Sequence, residues 1–325
     1  MPEVVCLGII VVDVWARAVD HWPARGTLGL VDEVGIGLGG CAANCGLGFI
    51  RLGGKATVVG CVGQDGLGDF ALNTLREGGA EVAVRRVAAP TSATLITIHP
   101  DGERTFLHCT GADGAIEPDQ VDMDLVASAP VLALLGVNLM PGFDGQPEAV
   151  VLARAQARGV TTVVDTAWDD TGRWRETLQP LLPHTDILLP SVGEAQGLTG
   201  RDDPPAMAQA LLEAGPSLVG IKLGPEGSYL RTAEQELWVP AYPVETVDGT
   251  GAGDAFVAGF IYGWQQGWEL RDVGRFANAV GALSTTAAGT TRGVRSAAQT
   301  VRFIEQSEGT TWTAPLQAAA GVQEM

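Results

Sequence analysis

Val247-Asp248-Gly249-Thr250-Gly251-Ala252-Gly253-Asp254-Ala255-Phe256 reads as an extended segment that ends in small residues and opens directly into a helix. From Gly251 on, Ala252, Gly253, Ala255, Ala258 and Gly259 allow close backbone approach. Phe256, Val257, Phe260, Ile261 and Trp264 recur at helical spacing, so the helix is expected to begin within Gly-Ala-Gly-Asp. The first turn of a helix leaves backbone N–H groups unpaired, and the aligned peptide dipoles add a partial positive charge there. With glycine at 251 and 253 a phosphate can approach that backbone without meeting a Cβ, so the loop can hold an oxyanion with no Lys or Arg in it. Asp254 has two readings. It complements the helix dipole as an ordinary first-turn Asp, or it is a general base that takes a proton from a hydroxyl while the neighbouring amides stabilise the group under attack.

Working outward, the 325 residues are 46% hydrophobic and 18% charged, enough for a substantial core in one main domain. The 44 glycines are spread through many short junctions, as in alternating strands and helices. A formal charge of −18 argues against nucleic acid and anionic membrane as partners. An anionic ligand must then be met locally, by helix N-termini, a metal ion or a few placed cations. Cys6, Cys41, Cys45, Cys61 and Cys109 contain no CxxC pair and read as free thiols of a reducing cytoplasm. The apolar run Val4 to Val12 is too short for a membrane span and reads as one buried first strand, with Asp13 at its carboxyl end where ligands of open α/β sheets bind.

Residues 14–37 make a poor helix and suggest a β excursion, followed by Gly39-Gly40-Cys41-Ala42-Ala43-Asn44 opening a second helix that stops at Gly53-Gly54. Two motifs here mislead. Gly35-Ile36-Gly37-Leu38-Gly39-Gly40 satisfies GxGxxG, the dinucleotide fingerprint of some oxidoreductases, but follows what looks like an edge hairpin, and Gly53-Gly54-Lys55 lacks the spacing of a phosphate-binding P-loop. Further on, runs near 92–98 and 104–108 flank the hairpin signature Pro100-Asp101-Gly102-Glu103. Strands at 131–137, 160–165, 187–189 and 218–223 alternate with helices at 147–158 and 192–198, and 272–288 and 296–306 read as helices after the opening stretch. The pattern predicts an α/β fold: a doubly wound, mostly parallel sheet with helices on both faces and a small β-sheet lid. One domain is expected over residues 1–307, its lid formed by about 14–37 and 91–110, with a loosely held tail from 308 to 325. The lid's open edge suggests a homodimer in which lids pair.

Two separated stretches, Gly39-Gly40-Cys41-Ala42-Ala43-Asn44 and Asp248-Gly249-Thr250-Gly251-Ala252-Gly253-Asp254, resemble the two signatures of the ribokinase-like (PfkB) carbohydrate kinases. Leu189-Pro190-Ser191-Val192-Gly193-Glu194 and Lys222-Leu223-Gly224-Pro225-Glu226-Gly227 fall where that family places its Asn-x-x-Glu motif and nucleotide loop, so the likeness covers residues 3 to 306 in order. The resemblance implies phosphoryl transfer from ATP to a hydroxymethyl group. Asp254 would be the base, with the Gly251, Ala252 and Gly253 amides as anion hole. Asp13, Gly39, Gly40 and Asn44 would hold sugar hydroxyls, a donor and acceptor set that suits a polyol. Glu194 would organise Mg²⁺ through water. Ser191, Lys222, Gly224 and Gly227 would line the ATP phosphates, with Asn278 near the adenine. Asp248 with carbonyls around Ser284, Ala287 and Gly289 would match the family's monovalent-cation site, K⁺ in many members.

The chain departs from the family pattern at several positions. Ser191 replaces the Asn three before Glu194, Gly249 stands where Thr or Ser is usual and Gly46 where Ala or Ser is usual. Gly293 aligns with a Ser that completes the potassium site of ribokinases. Cys41 replaces their Lys, and no Glu follows Val137, where ribokinases place a sugar ligand. A sugar kinase other than ribokinase is therefore expected. A nucleoside kinase of the adenosine type is the nearest alternative, ahead of a dinucleotide-binding oxidoreductase or a silent binding relative. His21, His99, His108 and His184 form no spaced pair, and Trp15 and Trp22 read equally as sugar-covering or lid-core residues.

Overall fold

The apolar run at the N-terminus is two strands, not one. Val4–Gly8 (β1) lies in a nine-stranded sheet, and Val11–Arg17 (β2) belongs to a separate four-stranded sheet. The crossing falls at Gly8, whose φ is +151° and whose absent Cβ would stand 1.9 Å from the Leu135 carbonyl oxygen. Only glycine fits there. Asp13 is thereby moved from the end of a central strand, where the sequence placed it, into the small sheet.

The computed structural model describes residues 1–99 and 104–316. After β2 follow Glu33–Gly39 (β3), Cys41–Arg51 (α1), Ala56–Gly63 (β4), Gly66–Glu77 (α2), Glu81–Val87 (β5), Ala93–Ile98 (β6) and Arg104–Cys109 (β7). Met123–Ala127 (α3), Val131–Val137 (β8), Gln146–Gln156 (α4), Thr161–Thr166 (β9), Trp174–Leu178 (α5) and Ile187–Leu188 (β10) come next. The chain continues through Val192–Thr199 (α6), Pro204–Leu212 (α7), Leu218–Lys222 (β11), Ser228–Arg231 (β12) and Glu236–Val239 (β13). Ala252–Gln265 (α8), Leu270–Ser284 (α9) and Ala297–Glu308 (α10) complete it.

The large sheet runs β13-β12-β11-β10-β9-β8-β1-β4-β5, parallel except for the hairpin β12–β13 at one edge. Both faces are covered, and the side-chain alternation of β1 shows it. Val4 and Cys6 pack into one layer with Ala43, Phe260 and Phe276, whereas Val5 and Leu7 pack into the other with Leu152 and Leu211. The strand order reverses around β1, with β8 on one side and β4 on the other, which is where ligands of doubly wound sheets bind. No helix among the described residues is long and apolar enough to cross a membrane.

The small sheet runs β3-β2-β6-β7. Its register puts Asp13, Thr94 and His108 in one row and Trp15, Ile96 and Phe106 in the next row of the same face. The opposite face carries Val14, Val34, Ile36, Leu95 and Leu107, of which Val34, Ile36, Leu95 and Leu107 are 65, 47, 53 and 53% exposed. The stretch Gly35 to Gly39 lies in β3, so GxGxxG here is an edge strand and not the turn of a βαβ unit. The turn signature at 100–103 lies outside the described residues, though β6 and β7 on either side of it pair antiparallel.

The start of the expected loose tail is packed. Trp312 lies edge-on to Trp268 at 5.2 Å and under the Arg275 guanidinium at 4.9 Å, and the Trp268 indole donates to the Pro315 carbonyl at 2.6 Å. Aromatic surface, which the polar run around it conceals, ties residues 309–316 to α9. The rest of the tail, 317–325, lies outside the described residues.

Candidate active site

The helix α8 starts where its sequence says. Gly251 caps it in the left-handed conformation at φ +77°, and a Cβ there would stand 2.6 Å from the Thr290 carbonyl. Ala252, Gly253 and Asp254 form the first turn. The Ala252 amide donates to the Gly249 carbonyl at 3.3 Å, which makes it the least available of the three expected anion-hole donors.

Asp254 is buried, and its Oδ2 accepts a hydrogen bond from Asn44 Nδ2 at 2.8 Å. Burial raises the Asp254 pKa. The Asn44 amide, the Lys222 ammonium and the Cys41 thiol pull the other way without cancelling it, and the Glu194 carboxylate adds to the rise. A carboxylate of raised pKa beside a helix N-terminus suits general-base work. Asn44 is positioned by α1, which begins after Gly40 at φ +90°, where a Cβ would stand 2.5 Å from the Ile9 carbonyl. Its Oδ1 is buried and has no partner among the described residues. A buried acceptor without a partner is satisfied only if a donor reaches it.

Asp13 joins this group from the small sheet. A Cβ on Gly39 would stand 2.2 Å from Asp13 Oδ2, so glycine at 39 is what lets the carboxylate lie against the loop before α1. Burial pushes the Asp13 pKa up to about 6, opposed by the Thr94 hydroxyl and reinforced by Asp254 and Asp248. Asp13, Gly39, Gly40, Asn44 and Asp254, drawn from four parts of the chain, therefore form one constellation.

A second group comes from the strand ends across the large sheet. Lys222 Nζ lies 2.5 Å from Asp165 Oδ1, and a Cβ on Gly253 would stand 3.5 Å from Lys222 Nζ, which puts the ammonium beside the first turn of α8. Ser191 caps α6, and Glu194 Oε2 accepts from the Ser191 amide at 2.7 Å and the Thr166 hydroxyl at 2.9 Å. Ser191 also bridges Lys222 in the backbone. The serine that replaces asparagine thus caps its own helix. Gly224, at φ +60°, has open space where a Cβ would be, whereas a Cβ on Gly227 would stand 2.0 Å from the Val239 carbonyl, so Gly227 serves the turn. The Asn278 amide donates to the Val239 and Pro240 carbonyls at 2.9 and 3.1 Å, which spends its donors on the backbone after β13.

Asp248 is held by Arg104 of β7 at 2.8 Å, the Thr250 amide at 2.8 Å and the Gly289 amide at 3.0 Å. Arg104 also donates to the Thr250 hydroxyl. Burial works to raise the Asp248 pKa, but these donors and the guanidinium outweigh it and hold the carboxylate below its usual range. Ser284 donates to the Gly281 carbonyl, and a Cβ on Gly293 would stand 2.4 Å from the Ser284 carbonyl oxygen. Of the residues named for a monovalent cation, Gly289 binds Asp248 directly, and the Asp248 amide donates to the carbonyl of Thr285, next to Ser284, at 3.0 Å. Arg104 pairs with the same carboxylate.

Sequence reasoning missed Asp165, Thr166 and Arg104. Asp165 closes an apolar strand and carried that signal; Arg104 lies 146 residues from Thr250 and carried none. A cavity of about 290 Å³ lined by Arg175, Leu178, Leu198, Arg201 and Leu211 holds none of the site residues and no carboxylate.

Residues 1–297 match the family described as pfkB family carbohydrate kinase. An aminoimidazole riboside kinase of Salmonella typhimurium is 31% identical over 263 residues, 77% of this chain and 82% of the relative. An uncharacterised sugar kinase of Archaeoglobus fulgidus is 30% identical over 241 residues, 73% and 93% of the two chains. Among solved structures, a candidate ribokinase II of E. coli in complex with ATP and Mg²⁺ superposes with a TM-score of 0.82 at 25% identity, covering 94% of this chain and 100% of the other.

Proposed function

This chain belongs to the pfkB family of carbohydrate kinases, and from that premise we propose that it transfers the γ-phosphoryl group of ATP to a hydroxymethyl group of a sugar. The observation that carries the reading is the Asn44–Asp254 contact, together with the orphaned Asn44 Oδ1. Asn44 then takes a hydroxyl donor of the acceptor while orienting the carboxylate that deprotonates its neighbour. Asp13, against Gly39, accepts from a further hydroxyl.

In the forward step Asp254 Oδ takes the proton as the acceptor oxygen attacks the phosphorus, and the bond to the ADP oxygen breaks. The Gly251, Ala252 and Gly253 amides at the N-terminus of α8 face the equatorial oxygens, and Lys222 beside Gly253 offsets their charge. Ser191 and Gly224 line the polyphosphate. Gly227 serves the turn after Gly224, and the Asn278 donors are spent on the Val239 and Pro240 carbonyls.

The residues present fit Mg²⁺. Asp165, Glu194 and Asp254 share one ammonium, an excess of negative charge that ATP would otherwise have to approach unaided. Among the described residues no three carboxylate, Cys or His side chains are grouped to hold a metal directly, so Glu194 would hold the ion through water. When bound, Mg²⁺ neutralises the phosphate oxygens and favours departure of ADP.

The small sheet serves as a lid in this reading, because its inner face supplies Asp13 and Arg104. Its exposed apolar outer face suits a second copy of the chain, giving a homodimer. The five free cysteines fit a cytoplasmic enzyme. A nucleoside acceptor would use the same machinery, and the likeness to a riboside kinase keeps that reading as the alternative. ADP release from Mg-ATP across ribose, fructose, 2-keto-3-deoxygluconate and adenosine, with Asp254→Asn in parallel, tests both. Turnover of a sugar that the variant loses supports the proposal. Turnover of adenosine alone moves it to the nucleoside class, and no ATP binding at all defeats it.

A further inference from the structure

Lys222 stands among three carboxylates, Asp165, Glu194 and Asp254, and the fold pairs it with Asp165. Asp165 is the last residue but one of β9 and Lys222 ends β11; between them β10 is only Ile187–Leu188, so the lysine reaches across the end of a short strand to Asp165 Oδ1 at 2.5 Å. The two side chains are 13 and 3% exposed. Glu194 is occupied by the Ser191 amide and the Thr166 hydroxyl, and Asp254 by Asn44. Among the described residues, Asp165 accepts a side-chain hydrogen bond from Lys222 alone. An ammonium in so dry a place needs a fixed partner, and which partner it has decides where its charge points.

We propose that Asp165 is a positioning residue that holds the Lys222 ammonium beside Gly253, where the transferred phosphoryl group passes, and keeps it from pairing with the base Asp254. The proposal rests on the kinase reading of the site. Burial pushes the Asp165 pKa up to about 7, with Lys222 opposing, so the pair is a costly arrangement to keep if it served packing alone. With Asp165 neutralised, Lys222 is free to turn to Asp254. Around Asp254 stand Cys41 and Asn44 of α1, Lys222 of β11, Glu194 of α6, Asp165 of β9 and Asp13 of β2. Loss of Asp165 then makes the base weaker, and loss of Lys222 makes it stronger but leaves the phosphoryl charge uncompensated.

The test is a cycle of four full-length proteins: wild type, Asp165→Asn, Lys222→Met and the double variant. Each single change is expected to lower kcat at least 30-fold while the acceptor KM stays within threefold, and the double variant to be no slower than the slower single one. The acid limb of the kcat profile moves to lower pH in Asp165→Asn and to higher pH in Lys222→Met. Multiplying losses in the double variant, or an unmoved acid limb in Asp165→Asn with only a lower melting temperature, make Asp165 a structural support and overturn the proposal. Mg-ATP affinity of the same four proteins, by calorimetry, covers a case in which no acceptor turns over. Non-additive losses of affinity support the pair, and additive or absent losses sink it. A wild type that does not bind Mg-ATP overturns the kinase reading and this inference together, and is told apart from failure of the pair alone by that one titration.

Discussion

Asn44 Nδ2 lies 2.8 Å from Asp254 Oδ2, a bond between side chains 210 residues apart that joins the first turns of α1 and α8. An amide donor favours the charged carboxylate, so it restrains a pKa that burial raises. Removing the donor lets the pKa rise further. In Asn44→Ala the acid limb of kcat is therefore expected at higher pH than in wild type, with kcat at pH 7 lower by about tenfold. Asp254→Asn keeps the shape and removes the base, so kcat should fall by roughly 10²–10⁴ with ATP affinity retained. Steady-state rates from pH 5 to 9 check both. An Asn44→Ala limb that stays put would show that the amide serves only the acceptor.

Arg104 supplies a fixed positive charge to Asp248. Its guanidinium lies 2.8 Å from Asp248, the carboxylate at the centre of the expected monovalent-cation site. A fixed positive charge at hydrogen-bond distance leaves little for K⁺ to neutralise. Wild-type kcat should then be the same, within twofold, in potassium and tetramethylammonium salts of equal ionic strength. Arg104→Ala should lose activity in tetramethylammonium and recover part of it in potassium. Potassium activation of the wild type would refute the substitution of arginine for the ion.

Asp113 pins the root of the small sheet. Its Oδ1 accepts from the Ile10 amide at 3.0 Å, its own amide donates to Ser92 Oγ at 3.0 Å, and Ser92 in turn donates to the Thr110 carbonyl. Ile10, Ser92 and Thr110 stand at three crossings of the chain into or out of that sheet. Among the described residues Oδ2 is buried without a partner, and burial pushes the Asp113 pKa up to about 8 against the pull of Ile10 and Ser92. The unfolded chain releases this proton near the usual carboxylate range, while the folded chain keeps it up to about pH 8. The folded state thus binds more protons in between, and stability falls as pH rises through that window. Asp113→Asn cannot ionise. It should flatten the decline of melting temperature between pH 5 and 8 and be more stable than wild type at pH 8, by an amount on the order of a few kcal/mol. Parallel slopes for the two proteins would mean that Asp113 is charged in the fold.

What could be read from the chain followed a physical rule about range. Gly251 to Asp254 and Gly39 to Asn44 were legible because a helix start is local: small residues, then apolar spacing, within one stretch. The parallel sheet was legible for the same reason, since strands buried on both faces are apolar throughout. The split between β1 and β2 was hidden because Gly8 sits inside a run whose residues are buried in either sheet. The hairpin β12–β13 was missed because its strands are four residues each, and Arg231 and Glu236 blur their alternation. Asp165 carried a local signal at the end of an apolar strand, but its partner stands two strands away; Arg104 carried none, its partner being 146 residues off. Asn278 shows the converse. Its position matched a family role, but its donors are spent on Val239 and Pro240.

Trp312 gives the last prediction, about the end of the chain. Its ring meets Trp268 at 5.2 Å and Phe276 at 6.3 Å, and the Arg275 guanidinium lies 4.9 Å over it. Arg275 is also bound by Asp272 and Glu308, so the cation is held in place over the ring rather than drawn to it from solvent. Stacking and the cation–π contact add to the apolar area covered on α9, and together they are worth about 2 kcal/mol for a half-buried tryptophan. Trp312→Ala should lower the melting temperature by about 2–5 °C on that figure, since the shift of roughly 2–4 °C per kcal/mol seen in domains of 150–250 residues is smaller in a chain of 325. Among the described residues no ring contact, hydrogen bond or ion pair of Trp268, Phe276 or Arg275 reaches a residue named in the site, so kcat and both KM values should be unchanged below the new transition. Differential scanning calorimetry beside a coupled ADP assay at 25 °C separates the two quantities. A lowered kcat at unchanged stability would mean that the segment after α10 reaches the site, and an unchanged melting temperature would mean that it is not held against α9 in solution.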